Sequence, residues 1–528
     1  MSNATVPLFP LAGKTPSVLF RSASVLTMDA DDRLLTDTDV LVERGQISAV
    51  GVGLAAPDGT RIIDASQHLL MPGLINGHVH SPANFLKGAL DDAPLEMFML
   101  YEVPPLAGAP DSARMCNLRT LLGAAEMLKL GITSVHDDAF FNPVPTPETI
   151  DAIMDAYATS GMRASVSLDQ PNVVEFDKYP FLKDLLPQDL RLHMEKAPRQ
   201  SDGELIAHYR AFIAKWHGAA GGRLRASVSC SAPQRVTVPY FEALTELSAE
   251  HGLPFIIHIL ETRLQRVLGQ EKYGKSLVRY VDDLGLLDER KLVIHAVWID
   301  RHDIDLLAAS GCTVAHNPIS NLKLGSGVMP YRELRDAGVP ICLGTDEAAV
   351  DDTANMWGVA KVAGLIHKIA DPEWQRWPKA NEVLNDLLLG GARGMGLADR
   401  IGRIVPGYAA DIILVDLDTL AFTPLNDIRR QLVFCENGSS VTLTMVDGRI
   451  VYEDGKLTTI DEKALRAEVR SLMAEHQANL AETRLQADRL APYYREMYLK
   501  TLSRPVGMNR WVGSNEDVHN NQYKRRTS

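Results

Sequence analysis

The chain has 528 residues, more than one ordinary domain needs and enough for a large barrel with an accessory domain. With 46% hydrophobic and 23% charged residues it has the balance of a protein with a sizeable core, and its formal charge of -13 argues against nucleic acid or an anionic membrane surface as partner. Five scattered cysteines, an odd number without a CxxC pair, fit reduced thiols and a cytoplasmic location better than a disulfide framework. Residues 1–10 lack a basic segment followed by an apolar core, so no secretory signal is expected, and no apolar run reaches the roughly 20 residues of a membrane helix.

Residues 17–66 read as short strands: Ser17-Val-Leu-Phe-Arg alternates, and Val40-Leu-Val-Glu-Arg turns at Gly45 before Ile47-Ser-Ala-Val resumes. The same texture returns late in the chain, where Ala410-Asp-Ile-Ile-Leu-Val reads as a strand and Asp447-Gly448 as the turn of a hairpin. Both ends thus predict one small β-sandwich. Between them, short apolar strands alternate with amphipathic helices, the pattern of repeated βα units and of a (β/α)8 TIM barrel, an α/β fold. The candidate strands are residues 74–78, 134–137, 164–168, 225–229, 255–258, 292–295, 313–316 and 341–345. This divides the chain into 1–66 and 401–457 for the β-sandwich, 67–400 for the barrel, and 458–528 for a helical extension and polar tail. The extension, rich in Leu, Ala, Glu and Arg from about Ile460 to Tyr498, reads as one or two helices. Leu465, Val469, Leu472 and Met473 form a stripe that must be buried, either on the chain's own barrel or on a neighbouring subunit, and the expectation is a homodimer or higher homo-oligomer with contacts from this segment.

Active sites of such barrels lie at the C-terminal ends of the strands. His78-Val-His80 places two imidazoles on one side of a strand end, because alternate residues point the same way. An isolated pair of this kind says little. The conjunction says more: His258 and Glu261 follow the fifth strand, His295 ends the sixth, and Asp346 follows the eighth. Three imidazoles and a carboxylate suit zinc or ferrous iron and leave room for water. His136, Asp137 and Asp138 end the second strand and shape the pocket, while Gln234 after the fourth strand and His316 at the end of the seventh are candidate substrate contacts.

Met71-Pro-Gly-Leu-Ile-Asn-Gly-His-Val-His80, Glu126-Met-Leu-Lys-Leu-Gly-Ile-Thr133, His258-Ile-Leu-Glu261, His295-Ala-Val297, His316-Asn-Pro318 with Ser320-Asn321, Gly344-Thr-Asp346, and Gly407-Tyr-Ala-Ala-Asp-Ile-Ile-Leu-Val415 together resemble the amidohydrolase superfamily, in its aminohydrolase and chlorohydrolase branch. The resemblance implies one divalent metal, zinc before iron, on His78, His80, His258 and Asp346. It also implies Glu261 as proton carrier, His295 as the group that orients water or substrate, and Asp346 as a second proton acceptor. No lysine stands where a carbamylated bridge between two metals would need one, since the fourth strand ends in Ser229-Cys230-Ser231. The activity implied is attack of an activated water on a C=N carbon of an amino-substituted N-heterocycle, with ammonia leaving. The alternative is hydrolysis of a C–Cl, C–N-alkyl or amide bond of a triazine-like molecule. Three departures bear on the pocket: Ser231 stands where adenosine-type members carry histidine, Lys87 where they carry arginine, and Glu347, Asp351 and Asp352 where small residues are usual. They make a ribose-bearing substrate a poor fit and suggest an acidic rim suited to a basic or amine-bearing ligand.

Overall fold

The computed structural model describes residues 16–511, apart from 91, 104 and 107–109. Strands from both ends of the chain form a single nine-stranded sheet. Val18–Leu26, Leu34–Glu43, Gln46–Gly51, Arg61–Asp64 and His68–Pro72 come from the first part. Ile412–Asp416, Val441–Val446, Arg449–Glu453 and Lys456–Leu457 come from the second. The two parts join where His68–Pro72 pairs antiparallel with Ile412–Asp416. The sequence leads to an expectation of two packed sheets; instead one sheet curls on itself. The turn at Gly45 returns to the later strands, with Ala410 N–H donating to the Gly45 carbonyl at 2.8 Å and Ile47 N–H to the Tyr408 carbonyl at 2.9 Å. Val18, Phe20, Val40, Ile412 and Leu443 fill the space so enclosed.

The middle of the chain is an α/β array of the TIM-barrel type. Eight strand segments, all parallel to their neighbours, appear as two five-membered sheets. One contains Leu74–His80, Ile132–Phe140, Arg163–Asp169, Leu224–Ala226 and Asp346–Glu347; the other contains Val228–Ser229, Phe255–Ile259, Lys291–His295, Thr313–His316 and Ile341–Leu343. The fourth and eighth segments each contribute a piece to both sheets, broken at Ser227 and at Gly344-Thr345. The second break serves the site: a Cβ on Gly344 would lie 2.9 Å from the Cβ of His78 and 2.6 Å from Oδ1 of Asn317, so only glycine lets the eighth strand approach this closely. Burial on both faces explains why an inner strand such as Phe255–Ile259 reads as apolar except for His258 near its end.

The extension is one helix, Glu462–Leu502, with Asp461 capping it by accepting from Ala464 N–H at 2.9 Å. Its stripe is covered by its own chain. Leu465 and Leu472 join the central core, whereas Leu490, Tyr494 and Met497 pack with Leu100, Phe176, Tyr179 and Leu264. A partner subunit is therefore not needed to bury it. Beyond the helix, Trp511 packs edge-on against Trp298, with ring centroids 5.1 Å apart. The basic end Lys524-Arg525-Arg526 of the expected polar tail lies outside the described residues. All five cysteines are unpaired, and among the described residues no helix is long and apolar enough to cross a membrane.

Candidate metal centre and active site

The first strand, Leu74–His80, ends with His78 and His80 turned to the same side, as its two-residue period requires. His258 arrives from the fifth strand, and ligand-capable atoms of these three histidines lie within 4.8 Å of one another. His258 Nε2 is 3.2 Å from His78 Nε2. Asp346 joins from the eighth strand: its Oδ1 lies 3.6 Å from His78 Nε2 and 3.5 Å from His80 Nε2. Neighbouring groups fix the rings. His80 Nδ1 donates to the Asp138 carbonyl at 2.6 Å and His258 Nδ1 to the Ser231 carbonyl at 2.8 Å, so each presents the lone pair of Nε2 inward. Ser320 donates to Asp346 Oδ2 at 2.7 Å, which orients the carboxylate. Burial, reinforced by the neighbouring histidines, holds His78 and His258 well below the usual imidazole range, in the neutral form a metal requires. Three convergent imidazoles, two of them held neutral, beside a buried carboxylate are a donor set that fits a divalent transition metal.

Glu261 and His295 face this cluster. His295 Nε2 is 3.3 Å from Glu261 Oε2 and 3.7 Å from Asp346 Oδ2. Its Nδ1 donates to Asn321 Oδ1 at 3.0 Å, which explains the Ser320-Asn321 pair singled out in the sequence. Burial first, then the negative charges of Asp346 and Glu96, push the Glu261 carboxyl well above its ordinary range, towards the protonated form. Ser231, Leu260, His295 and Asp346 all adopt left-handed backbone angles, with φ of 62°, 54°, 72° and 65°. Such conformations cost on the order of 1–3 kcal/mol each and persist where the surroundings impose them.

The structure brings His78, His80, His258, Glu261, His295 and Asp346 together at one end of the parallel strands. It does not bring Gln234 or His316 to the cavity. Gln234 sits in the short turn Pro233–Arg235 and is buried, and the next residue, Arg235, reaches the cavity wall. His316 instead meets His367, Nε2 to Nε2 at 3.0 Å. The expected acidic rim is also narrower. Glu347 lines the cavity, but Asp352 pairs with Lys323 and Asp351 accepts from Thr353 at 2.7 Å. Lys87 turns to Glu126.

Sequence reasoning missed Arg235, Glu102 and Asp169, which all line the cavity. Asp169 stands one residue past the expected end of the third strand, so the rule that strand ends turn polar would have found it. Asp169 also forms, with His80 and Asp138, a second group of potential ligands within 4.8 Å. The Asp138 carboxylate there is already engaged by Ser167 at 2.6 Å and Ser229 at 3.0 Å.

The chain belongs to the Amidohydrolase family, whose model matches residues 69–451. It is similar to 5'-deoxyadenosine deaminase of Methanosarcina mazei, 31% identical over 437 residues, covering 83% of this chain and 93% of that one. It is also similar to 5-methylthioadenosine/S-adenosylhomocysteine deaminase of Thermococcus onnurineus, 32% identical over 421 residues, covering 79% and 90%. Among solved structures, an adenosine deaminase from Xanthomonas campestris with bound zinc superposes with a TM-score of 0.75 at 28% identity, covering 91% of this chain and all of that one. A triazine hydrolase variant gives 0.76 at 25% identity, covering 86% and 99%.

Proposed function

We propose that this protein is a metal-dependent hydrolase that releases ammonia from an amino-substituted N-heterocycle. The observation that carries the reading is the convergence of His78, His80, His258 and Asp346 opposite the Glu261–His295 pair. We take the two five-membered sheets as halves of one closed barrel over residues 67–400. Residues 1–66 and 401–457 form the accessory β-domain, and 458–528 the extension.

A divalent ion, zinc first and iron second, held by the three histidines and Asp346 supplies Lewis acidity that makes water nucleophilic at neutral pH. The protein's own groups do the rest. Glu261, whose burial favours the protonated form, gives a proton to the ring nitrogen next to the attacked carbon. Asp346 Oδ2, steadied by Ser320, is placed to accept the proton of the attacking water. His295, held by Asn321, fixes the substrate or the developing oxygen from the far side of Asp346. The deaminase relatives favour ammonia as the leaving group, and the triazine hydrolase likeness keeps chloride or an alkylamine as the alternative.

The test is a panel of 5'-deoxyadenosine, S-adenosylhomocysteine, guanine, melamine and a chlorotriazine with the zinc-loaded protein, scoring ammonia, chloride and amine separately. Ammonia release from at least one member is expected; chloride or amine release alone would move the assignment to the alternative.

A further inference from the structure

The Glu261 side chain is steadied by a part of the chain remote from its own strand. Among the described residues its carboxyl accepts one hydrogen bond, from Ser326 Oγ to Oε1 at 3.4 Å, while Oε2 is the oxygen turned to His295. Ser326 is buried, yet it belongs to Gly325-Ser326-Gly327, in the irregular stretch between the short helices Pro318–Lys323 and Tyr331–Asp336. Ser320 and Asn321, on the first of these helices, already orient Asp346 and His295. Ser326 extends that service to the third reacting group, but from a backbone without helical bonds of its own.

What holds this backbone comes largely from elsewhere. Ser326 N–H donates to the Asn321 carbonyl at 2.8 Å, which ties it to the preceding helix. Trp298 Nε1 donates to the Ser326 carbonyl at 2.7 Å, and Trp298 N–H donates to the Leu260 carbonyl at 2.8 Å, so one buried residue grips the backbone beside both Ser326 and Glu261. The end of the extension supplies the rest. Trp511 Nε1 donates to the Gly325 carbonyl at 2.8 Å, and Val328 N–H donates to the Arg510 carbonyl at 2.8 Å. The Arg510 guanidinium donates to the Ile299 carbonyl at 2.6 Å, next to Trp298, whose ring meets that of Trp511 edge-on. Residues 510 and 511 thus bond the backbone on both sides of Ser326. Gly327 records how close they come: its φ is 125°, and a Cβ there would lie 2.8 Å from the Arg510 carbonyl oxygen. None of these bonds touches a candidate metal ligand. They converge on the one hydroxyl that meets Glu261.

Resting on the reading of Glu261 as proton carrier, we propose that Arg510 and Trp511 form a strap across Gly325–Val328, and that Ser326, held by it, is a positioning residue for Glu261. The far end of the chain then sets the aim of the proton carrier, with Oε1 anchored and Oε2 presented to the reacting groups.

The experiment uses zinc-loaded full-length protein and whichever compound of the panel releases ammonia. Ser326→Ala and Trp511→Ala should each lower kcat about tenfold, the cost of a slightly misplaced catalytic group, with KM and zinc content unchanged. Trp511→Phe, which keeps a ring but loses the Nε1 donor, should fall between, and it carries the comparison if Trp511→Ala does not fold. In Glu261→Gln protein the same substitutions should change kcat by less than about twofold, because no proton carrier remains to be aimed. Hydrogen exchange, read without substrate, should quicken about tenfold or more at Val328 N–H in Trp511→Ala and stay unchanged there in Ser326→Ala. Equal losses in the two Glu261 backgrounds would reduce the strap to a general support. Those losses, a change in KM alone, full activity in both single variants, or unaltered exchange at Val328 would overturn the proposal. If no panel compound reacts, the deaminase reading fails by itself, and exchange at Val328 still decides whether the strap holds the segment.

Discussion

The third barrel strand, Arg163–Asp169, carries a buried ionic group at each end, and the two ends are treated in opposite ways. At the start, Arg163 grips Asp411 through Nε at 2.6 Å and Nη2 at 3.0 Å, and Asp411 also accepts from Asp447 N–H at 2.8 Å. Both partners are 2% exposed, and the fork-on-fork geometry meets the needs of the carboxylate while tying the barrel to the later strands of the accessory sheet. At the other end Asp169 lines the cavity, and its Oδ1 has no hydrogen-bond partner among the described residues. Burial alone thus does not mark function. A buried charge with every bond made is a fastening, and one with bonds left open awaits something from outside.

The largest expected effect falls on the open end. Chelation should abolish activity, and zinc should restore it with one equivalent per chain by elemental analysis, because one set of three histidines and an aspartate is present without a bridging lysine. Two equivalents that both support turnover would break the single-metal assignment. Next, Glu261→Gln should retain the metal yet lose on the order of 10²–10⁴-fold in kcat, the usual worth of a positioned proton carrier. Turnover near the unsubstituted rate would pass that role to Asp346.

At the fastened end the outcome should invert. Arg163→Met leaves the Asp411 carboxylate buried and unpaired, a loss of about 3–5 kcal/mol. Denaturant melts should register it, while activity per folded molecule holds. If instead Arg163→Met cuts activity and spares stability, the division between the two ends fails. The smallest effect is expected midway between these regions. Tyr494→Phe removes a 3.3 Å hydrogen bond to Glu175 on the cavity wall and should cost about 1 kcal/mol in thermal stability measurements, with KM moving more than kcat.

Much of the open end was legible in the sequence, since His78, His80, His258, His295 and Asp346 all sit where an apolar run stops, a local signal. The fastened end was not, because Arg163 and Asp411 are 248 residues apart and neither flanking pattern announces a partner. Glu102 escaped for a related reason: it follows Met97-Phe98-Met99-Leu100, which reads as packing, and its chemistry exists only once the eighth strand lays Glu347 beside it. The helical stripe of 462–502 was visible, but what covers it was not: Leu465 and Leu472 meet the central core and Leu490 and Tyr494 meet Phe176, Tyr179 and Leu264, contacts between segments far apart in the chain. Gln234 and His316 show the converse limit, being polar residues at strand ends whose side chains the fold turns away.

The long helix also has a consequence in time. Tyr494 stacks edge-on against Tyr179, centroids 5.4 Å apart, and bonds Glu175, so the outer wall of the cavity leans on some of the last residues to be synthesised. All four candidate ligands are in place in the sequence by residue 346, well before that buttress. During translation the nascent chain therefore owns a complete set of ligands inside an unfinished chamber. The candidate metal site and the outer wall of the cavity are therefore completed in that order as the chain is made.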